Sequence, residues 1–169
     1  MAASSKSDPI EWIREHWPEG DLGDPSKFLA MASVFYLYQR VASAMASVLK
    51  DFGLSRNGYL MLTTIQFTEH GSKLLSRIAS DMMLHPTTVT TLTDRLEEQG
   101  FVERQPHPTD RRATFVVITA AGRALLRKTT KALDAADFGL VGLTPARAQK
   151  LVALLAPVRM AAGDFHNGE

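Results

Sequence analysis

The sequence predicts a mainly α-helical protein that carries one small β-hairpin. Apolar residues recur at the three- and four-residue spacing of amphipathic helices along most of the 169 residues. Proline directly follows Asp8, His85 and Thr144, and proline at the first helical position is typical of a helix start. The spacing changes between residues 101 and 119, where the run TFVVIT and the polar turn before it indicate two short strands.

The N-terminal part predicts a short helix followed by a long one. Asp8-Pro9 starts the short helix, Pro18 stops it, and residues 19–25, rich in Gly and Asp, form a linker. The long helix runs from Ser26 to about Asp51 without Gly or Pro and is apolar on more than one side. Such a helix is either central in the fold or shared with a second chain.

The remaining segments follow in the order helix, helix, helix, hairpin and two helices. The helices are predicted near residues 56–67, 74–82, 85–100, 120–138 and 144–161, and the strands at 101–102 and 114–119. This order is the layout of a winged helix-turn-helix between helical arms. We expect an N-terminal extension at 1–25, dimerisation helices at 26–52 and 120–162, and a DNA-binding region at 53–119.

The helix in HPTTVTTLTDRLEEQG predicts DNA readout. Val89, Leu92 and Leu96 make one narrow inward stripe, whereas small hydroxyl side chains cover the opposite face. Such a face approaches the major groove closely and offers donors and acceptors to base edges. A surface helix with merely solvated threonines is the alternative. The predicted DNA contacts are His85, Thr87, Thr88, Thr90, Thr91 and Arg95.

The hairpin turn QPHPTDRRATF predicts a second DNA contact. Arg111 and Arg112 at the tip of a two-stranded ribbon suit a narrow minor groove, where the negative potential is enhanced. Asp110 is placed to orient one of the two guanidinium groups. An ordinary polar turn with a local salt bridge is the alternative, and the sequence does not rank the two arginines.

The run TVTTLTDRLEEQGFVERQPHPTDRRATFVVITAAGRALL resembles the MarR family of bacterial regulators. The family pattern combines a T-V-T-x-L-x-D-R-L-E helix, a G-[LF]-[VI]-x-R link, a D-R-R wing and an [LI]-T-x-x-G-R return. The resemblance implies a homodimer on double-stranded DNA with a pseudo-palindromic operator, and repression that a small ligand relieves. Three positions depart from the pattern: His85 replaces a frequent serine cap, Thr91 a frequent Arg or Asn, and His107 the usual first Asp of the wing.

We expect aromatic residues and methionines to line the junction between the dimerisation helices (the arms) and the DNA-binding region (the reading head). Such a lining predicts a small aromatic effector. The candidate lining residues are Trp12, Trp17, Tyr36, Tyr38, Tyr59 and Met61, for each of which core packing is the alternative. The extra N-terminal helix resembles the urate-responsive branch of the family. Leu60 and Leu92 stand where that branch carries Asp and Arg, so a urate-type anion site is not supported.

Composition excludes several other classes of function. The formal net charge is +1, and the absence of cysteine excludes disulfides and thiolate chemistry. The five histidines, at positions 16, 70, 85, 107 and 166, show no metal-ligand spacing, and we expect no cofactor. No catalytic motif, secretory signal or membrane span is visible, so we expect a cytoplasmic protein that is not an enzyme. A winged-helix module for protein interaction or DNA architecture, without an effector, remains the alternative.

Overall fold

The computed structural model describes residues 8–163 except Glu19 and Asp21. The chain divides into two compact units, residues 1–43 and 44–169. Within the described residues, no helix is long and apolar enough to cross a membrane. His166, one of the histidines considered above, lies outside the described residues.

The N-terminal unit contains helix α1 (Pro9–Glu15) and the first part of the long helix α2 (Ser26–Lys50). The Asp8 side chain accepts a hydrogen bond from the backbone N–H of Ile10 at 2.9 Å, and Pro9 occupies the first turn. In the linker, the indole N–H of Trp17 donates to the carbonyl oxygen of Gly23 at 2.9 Å. Both predicted helices are therefore present, and the linker between them is held by a side-chain hydrogen bond.

The second unit contains the end of α2 and the remaining elements. These are α3 (Arg56–Gln66), β1 (Ser72–Leu74), α4 (Leu75–Asp81), α5 (Pro86–Glu98), β2 (Val102–Pro106), β3 (Thr114–Ile118), α6 (Ala120–Ala135) and α7 (Pro145–Ala161). A single 3-10 turn, Asp137–Gly139, follows α6, so this helix ends three residues before the predicted Phe138. Phe138 has a φ of 50°, which an α-helix does not accommodate.

The β-sheet has three antiparallel strands in the order β1-β3-β2 rather than the two that the sequence predicted. Ser72 pairs with Val117 on one edge of β3, and Val102 pairs with Ile118 on the other edge. The strand β2 continues to Pro106, well beyond the predicted Val102. The hairpin is consequently anchored to the segment between α3 and α4.

The core of the second unit lies where α3, α4 and α5 pack on the sheet and α6 packs on α3. Its largest fully buried side chains come from every one of these elements and from the end of α2: Leu49, Met61, Leu62, Ile65, Ile78, Val89, Leu96, Val116, Ile118 and Leu133. This burial removes apolar surface from water and holds the helix pair α4–α5 against the hairpin. The fold is the predicted one: mainly α, with a winged helix-turn-helix and flanking helices.

Candidate nucleic-acid interface

Helix α5 starts at a histidine cap. The backbone N–H of Thr87 donates to Nδ1 of His85 at 3.3 Å, and Pro86 occupies the first helical position. Because Nδ1 accepts this bond, the neutral imidazole carries its proton on Nε2, which is left as a donor. His85 therefore replaces the frequent serine cap and is exposed as well.

The two faces of α5 differ as the sequence predicts, with one addition. Val89 and Leu96 are fully buried, Leu92 is half-buried, and Thr93 is also fully buried. The Thr93 hydroxyl donates to the carbonyl oxygen of Val89 at 2.7 Å, which satisfies it inside the core. The opposite face is exposed and carries Thr87, Thr88, Thr90, Thr91 and Arg95.

Two of the exposed threonines bond to their own helix. The Thr90 hydroxyl donates to the carbonyl oxygen of Pro86 at 3.0 Å, and the Thr91 hydroxyl donates to that of Thr87 at 3.1 Å. The hydroxyls of Thr87 and Thr88 make no such bond within the described part of the chain. The threonine face therefore presents two chemically different pairs.

The hairpin formed by β2 and β3, hereafter the wing, has a tip that is organised by His107. Its Nδ1 accepts from the backbone N–H groups of Thr109 at 3.3 Å and Asp110 at 3.1 Å. Its ring stacks on Phe115 of β3, with the ring centroids 5.2 Å apart. His107 thus provides the acceptor that the usual aspartate would provide at this position.

Asp110 does not have the predicted partner. Its Oδ1 accepts from the backbone N–H of Arg112 at 2.9 Å, rather than from a guanidinium group. This short-range bond closes the turn, because an aspartate readily bonds an N–H two residues further on. Arg111 and Arg112 are both exposed. The turn therefore fixes the backbone from which these side chains extend, and leaves the side chains themselves to bind elsewhere.

Arg104 on β2 joins the wing to α5, a role that was not predicted from the sequence. Its guanidinium pairs with the carboxylates of Asp94, at 2.6 Å, and Glu97, and its backbone N–H donates to Glu97 at 2.8 Å. Partial burial by itself lowers the pKa of this guanidinium, but the hydrogen bonds that it donates to Glu97 and Asp94 outweigh this effect and raise the pKa. This ion pair could have been predicted from the arginine of the G-F-V-E-R link together with the two carboxylates of the D-R-L-E segment.

The residues proposed for an effector pocket are dispersed. Tyr59 is buried, with its hydroxyl 3.2 Å from that of Thr130, and Met61 is completely buried. Both side chains lie on α3 and are buried inside the second unit, so neither is accessible to a ligand. We therefore exclude these two from the predicted pocket.

The other four candidates belong to the N-terminal unit. Trp12 stacks on His16, and Trp17 packs on Phe28. Tyr36 and Tyr38 are each about half exposed. A cavity of about 420 Å³ lies between α1 and the start of α2, but none of these four lines it. Its lining residues are Ile10, Arg14, Pro25, Ser26, Leu29, Ala30 and Ser33.

The described residues contain no group of three or more His, Asp or Glu side chains that could hold a metal ion. Two exposed polar features of the second unit are the face of α5 and the arginines of the wing, and Arg104 of β2 joins the wing to α5. This arrangement offers hydroxyl, imidazole and guanidinium groups on two adjoining projections, which is the chemistry of a protein that contacts base edges and phosphates.

Comparisons with known proteins agree with this geometry. Residues 54–114 match the sequence model of a family described as "MarR family". A solved structure, Sco5413 of Streptomyces coelicolor, described as a MarR family transcriptional regulator, has 34% sequence identity and a TM-score of 0.76. The match covers 86% of this chain and 100% of that one.

Two further proteins are similar over most of their length. The HTH-type transcriptional repressor IacR of Pseudomonas putida is 29% identical over 136 residues, which are 79% of this chain and 75% of that protein. The structure of Sco3205 from Streptomyces coelicolor, described as in complex with DNA, has 21% identity and a TM-score of 0.72. The match covers 82% of this chain and 88% of that one, and the two chains share the same fold.

Proposed function

This chain belongs to the MarR family of DNA-binding transcriptional regulators, and on that premise we propose that it is a homodimeric repressor that a small ligand releases from its operator. The observation that carries the proposal is the rigid pairing of an exposed threonine face on α5 with an exposed arginine wing. No catalytic role is part of it, because members of the family regulate transcription rather than catalyse a reaction.

In the proposed complex, α5 enters the major groove and the wing follows the adjacent minor groove. Thr87, Thr88, Thr90, Thr91 and Arg95 face the base edges and the flanking phosphates, because they share the exposed side of α5. The Nε2–H of His85 is placed to donate to a phosphate near the start of the helix. Residues 53–119 form the DNA-binding region in this assignment.

The wing arginines supply the second contact. Arg111 and Arg112 extend from a turn that Asp110 and His107 hold, so little further backbone ordering is needed on binding. A narrow minor groove has an enhanced negative potential that attracts such cations. Asp110 acts through the backbone of Arg112 in this proposal and does not itself contact DNA.

The dimer is proposed from apolar surface that one chain leaves exposed. Helix α7 has no buried residue in a single chain, and its exposed apolar side chains are Val152, Leu154, Val158 and Met160. The first half of α2 likewise exposes Met31, Val34 and Phe35. Monomeric proteins rarely expose so much apolar surface, so we assign residues 26–52 and 120–162 to dimerisation with a second copy. Two reading heads then address the two half-sites of a pseudo-palindromic operator.

Repression and release by a ligand rest on separate support. A similar protein is named as a repressor, which favours the same sign of regulation here. For the ligand, the cavity between α1 and α2 combines apolar walls with the guanidinium of Arg14, which pairs with Glu11 at 3.4 Å. An aromatic carboxylate that competes with Glu11 for this guanidinium suits the cavity better than a neutral hydrocarbon. Such a ligand can shift the dimer only by binding its DNA-free conformation more tightly than its bound one.

Footprinting over the intergenic DNA upstream of its own gene tests the DNA-binding part of the proposal. We expect one protected region with two half-sites about one helical turn apart. The matched control is a variant with both wing arginines changed to alanine, which should fold normally and protect the region only weakly. Absence of protection by the wild-type protein, on this DNA and on sequences enriched from a random library, would contradict operator binding.

A release assay tests the ligand part independently. Salicylate, benzoate and larger aromatic carboxylates are added at millimolar concentration to the protein–DNA complex and, separately, to the free protein. We expect a compound that raises the unfolding temperature of the free protein and weakens the complex, and that loses both effects in Arg14→Gln. If no compound does either, a constitutive repressor is the better description.

A further inference from the structure

The hydroxyl protons on the exposed face of α5 are not equally available. Those of Thr90 and Thr91 are already donated to the carbonyl oxygens of Pro86 and Thr87. The χ1 angle of a β-branched residue is restricted in a helix, where the threonine hydroxyl bonds back to the preceding turn. Thr90 and Thr91 therefore present a methyl group and an oxygen that can only accept.

This inventory of groups matches one kind of base pair. In the major groove, guanine displays the acceptors N7 and O6, and these need a donor from the protein. An A·T pair displays the adenine N6 amino group, which donates, and the C5-methyl group of thymine, which makes apolar contacts. The acceptor oxygen does not discriminate between the two pairs, because adenine N6 and cytosine N4 both donate. The methyl group complements only the A·T pair, and a hydroxyl whose proton is already donated offers no donor to guanine.

We infer that Thr90 and Thr91 select A·T pairs in each operator half-site, with their methyl groups packed against thymine methyl groups. The inference rests on the proposed docking of α5 in the major groove and adds the identity of the bases read there. Thr88 differs, because its hydroxyl is not bonded to the helix and can donate or accept at a base edge or a phosphate. Specificity for thymine is thus assigned to the second turn of the helix.

The test begins with selection of a duplex from a random-sequence library by the full-length protein. Each thymine of the selected half-site is then replaced singly by deoxyuridine, which removes the C5-methyl group and nothing else. For one or two thymines we expect about a fourfold loss of affinity, the size associated with one buried methyl group. The remaining thymines serve as internal controls.

Two substitutions at each threonine separate its methyl group from its hydroxyl. Thr90→Ser keeps the hydroxyl and should lose about fourfold in affinity, with no additional loss on the uracil duplex. Thr90→Val keeps the shape and should bind almost as tightly as the wild type. Thr88→Val is the matched control, and it should weaken binding because the hydroxyl that it removes is free. Unfolding temperatures of all variants show whether each one folds.

The outcomes separate this inference from the proposed function. If a sequence is selected but no thymine-to-uracil change matters, operator binding stands and the methyl readout is wrong. If Thr90→Val and Thr91→Val lose as much affinity as the serine variants, the hydroxyls contact the DNA directly and the inference also fails. If no sequence is selected, operator recognition itself fails and the inference fails with it.

Discussion

The guanidinium of Arg104 lies 2.6 Å from a carboxylate oxygen of Asp94, so a strand of the wing is bonded directly to the helix proposed to read the bases. The same guanidinium pairs with Glu97 one turn further along α5. These bonds fix the wing relative to α5 through two points on the helix. In the proposed complex, the spacing between the major-groove and minor-groove contacts is therefore set before DNA binds.

We expect Arg104→Gln to lower stability and to reduce specific DNA binding. The free energy of unfolding should fall by about 1–2 kcal/mol, because Glu97 is left half-buried beside a neutral partner while Asp94 remains largely solvated. Affinity for the operator should fall more than affinity for random DNA, since α5 and the wing would no longer be held at a fixed spacing. Urea unfolding and binding titrations measure the two effects. In the double mutant Arg104→Gln/Glu97→Gln, the two stability losses should not add; additive losses would contradict the pairing.

A second prediction concerns the wing arginines. Arg112→Ala should weaken binding to operator and random DNA alike and lower the slope of log K against log salt by about 1, because one phosphate or groove contact is lost. The unfolding free energy should hardly change, since the side chain is exposed. Arg111→Ala, measured in parallel, shows which arginine enters the groove. Unchanged affinity and slope in both variants would exclude the wing from the interface.

Gly122→Ala provides a test of the packing beneath the wing. A Cβ atom at residue 122 would collide with the backbone carbonyl oxygen of Phe101, just before β2, and with the side chain of Ile118. The backbone has little freedom to move there, so we expect a loss of about 1–3 kcal/mol of stability. Denaturant titration measures it, with exposed Ala121→Ser as the control. Equal stability of the two variants would show that α6 is not held so closely.

The dimer prediction is tested on α7. Leu154→Glu combined with Val158→Glu should convert the dimer to a monomer, because both side chains are exposed in one chain and would carry charge into an apolar interface. Light scattering at micromolar concentration measures the mass. Val141→Glu is the control, since this residue is equally exposed but precedes the helix. A wild-type protein that is monomeric, or a double variant that stays dimeric, would remove α7 from the interface.

Much of this arrangement could be predicted from the sequence. Proline and capping residues mark the starts of α1, α5 and α7, and the apolar stripe of α5 indicates its buried face. The strand β1 could not be predicted, because three residues are too few to show an alternating pattern. It exists because β3 offers a free edge to which Ser72–Leu74 can pair.

The predictions about side-chain partners were less successful, for a physical reason. Asp110 accepts a hydrogen bond from the backbone N–H of Arg112 instead of from a guanidinium group. The backbone bond is favoured because it does not restrict the long side chain of an arginine and so costs no side-chain entropy. Met61 lies on an apolar helix, and the sequence does not distinguish a pocket wall from a core position there. His85 caps a helix and His107 caps a turn, and in both roles Nδ1 replaces the oxygen of serine or aspartate.

The position of β3 between β1 and β2 has a consequence during protein synthesis. Both outer strands leave the ribosome before β3 does, and each of them pairs with β3 and not with the other. During synthesis, the helix pair α4–α5 is therefore flanked by β1 and β2, which both stay unpaired until Val117 and Ile118 of β3 emerge. A chain truncated inside the wing would keep these open edges, and it should aggregate rather than persist as a smaller folded reading head.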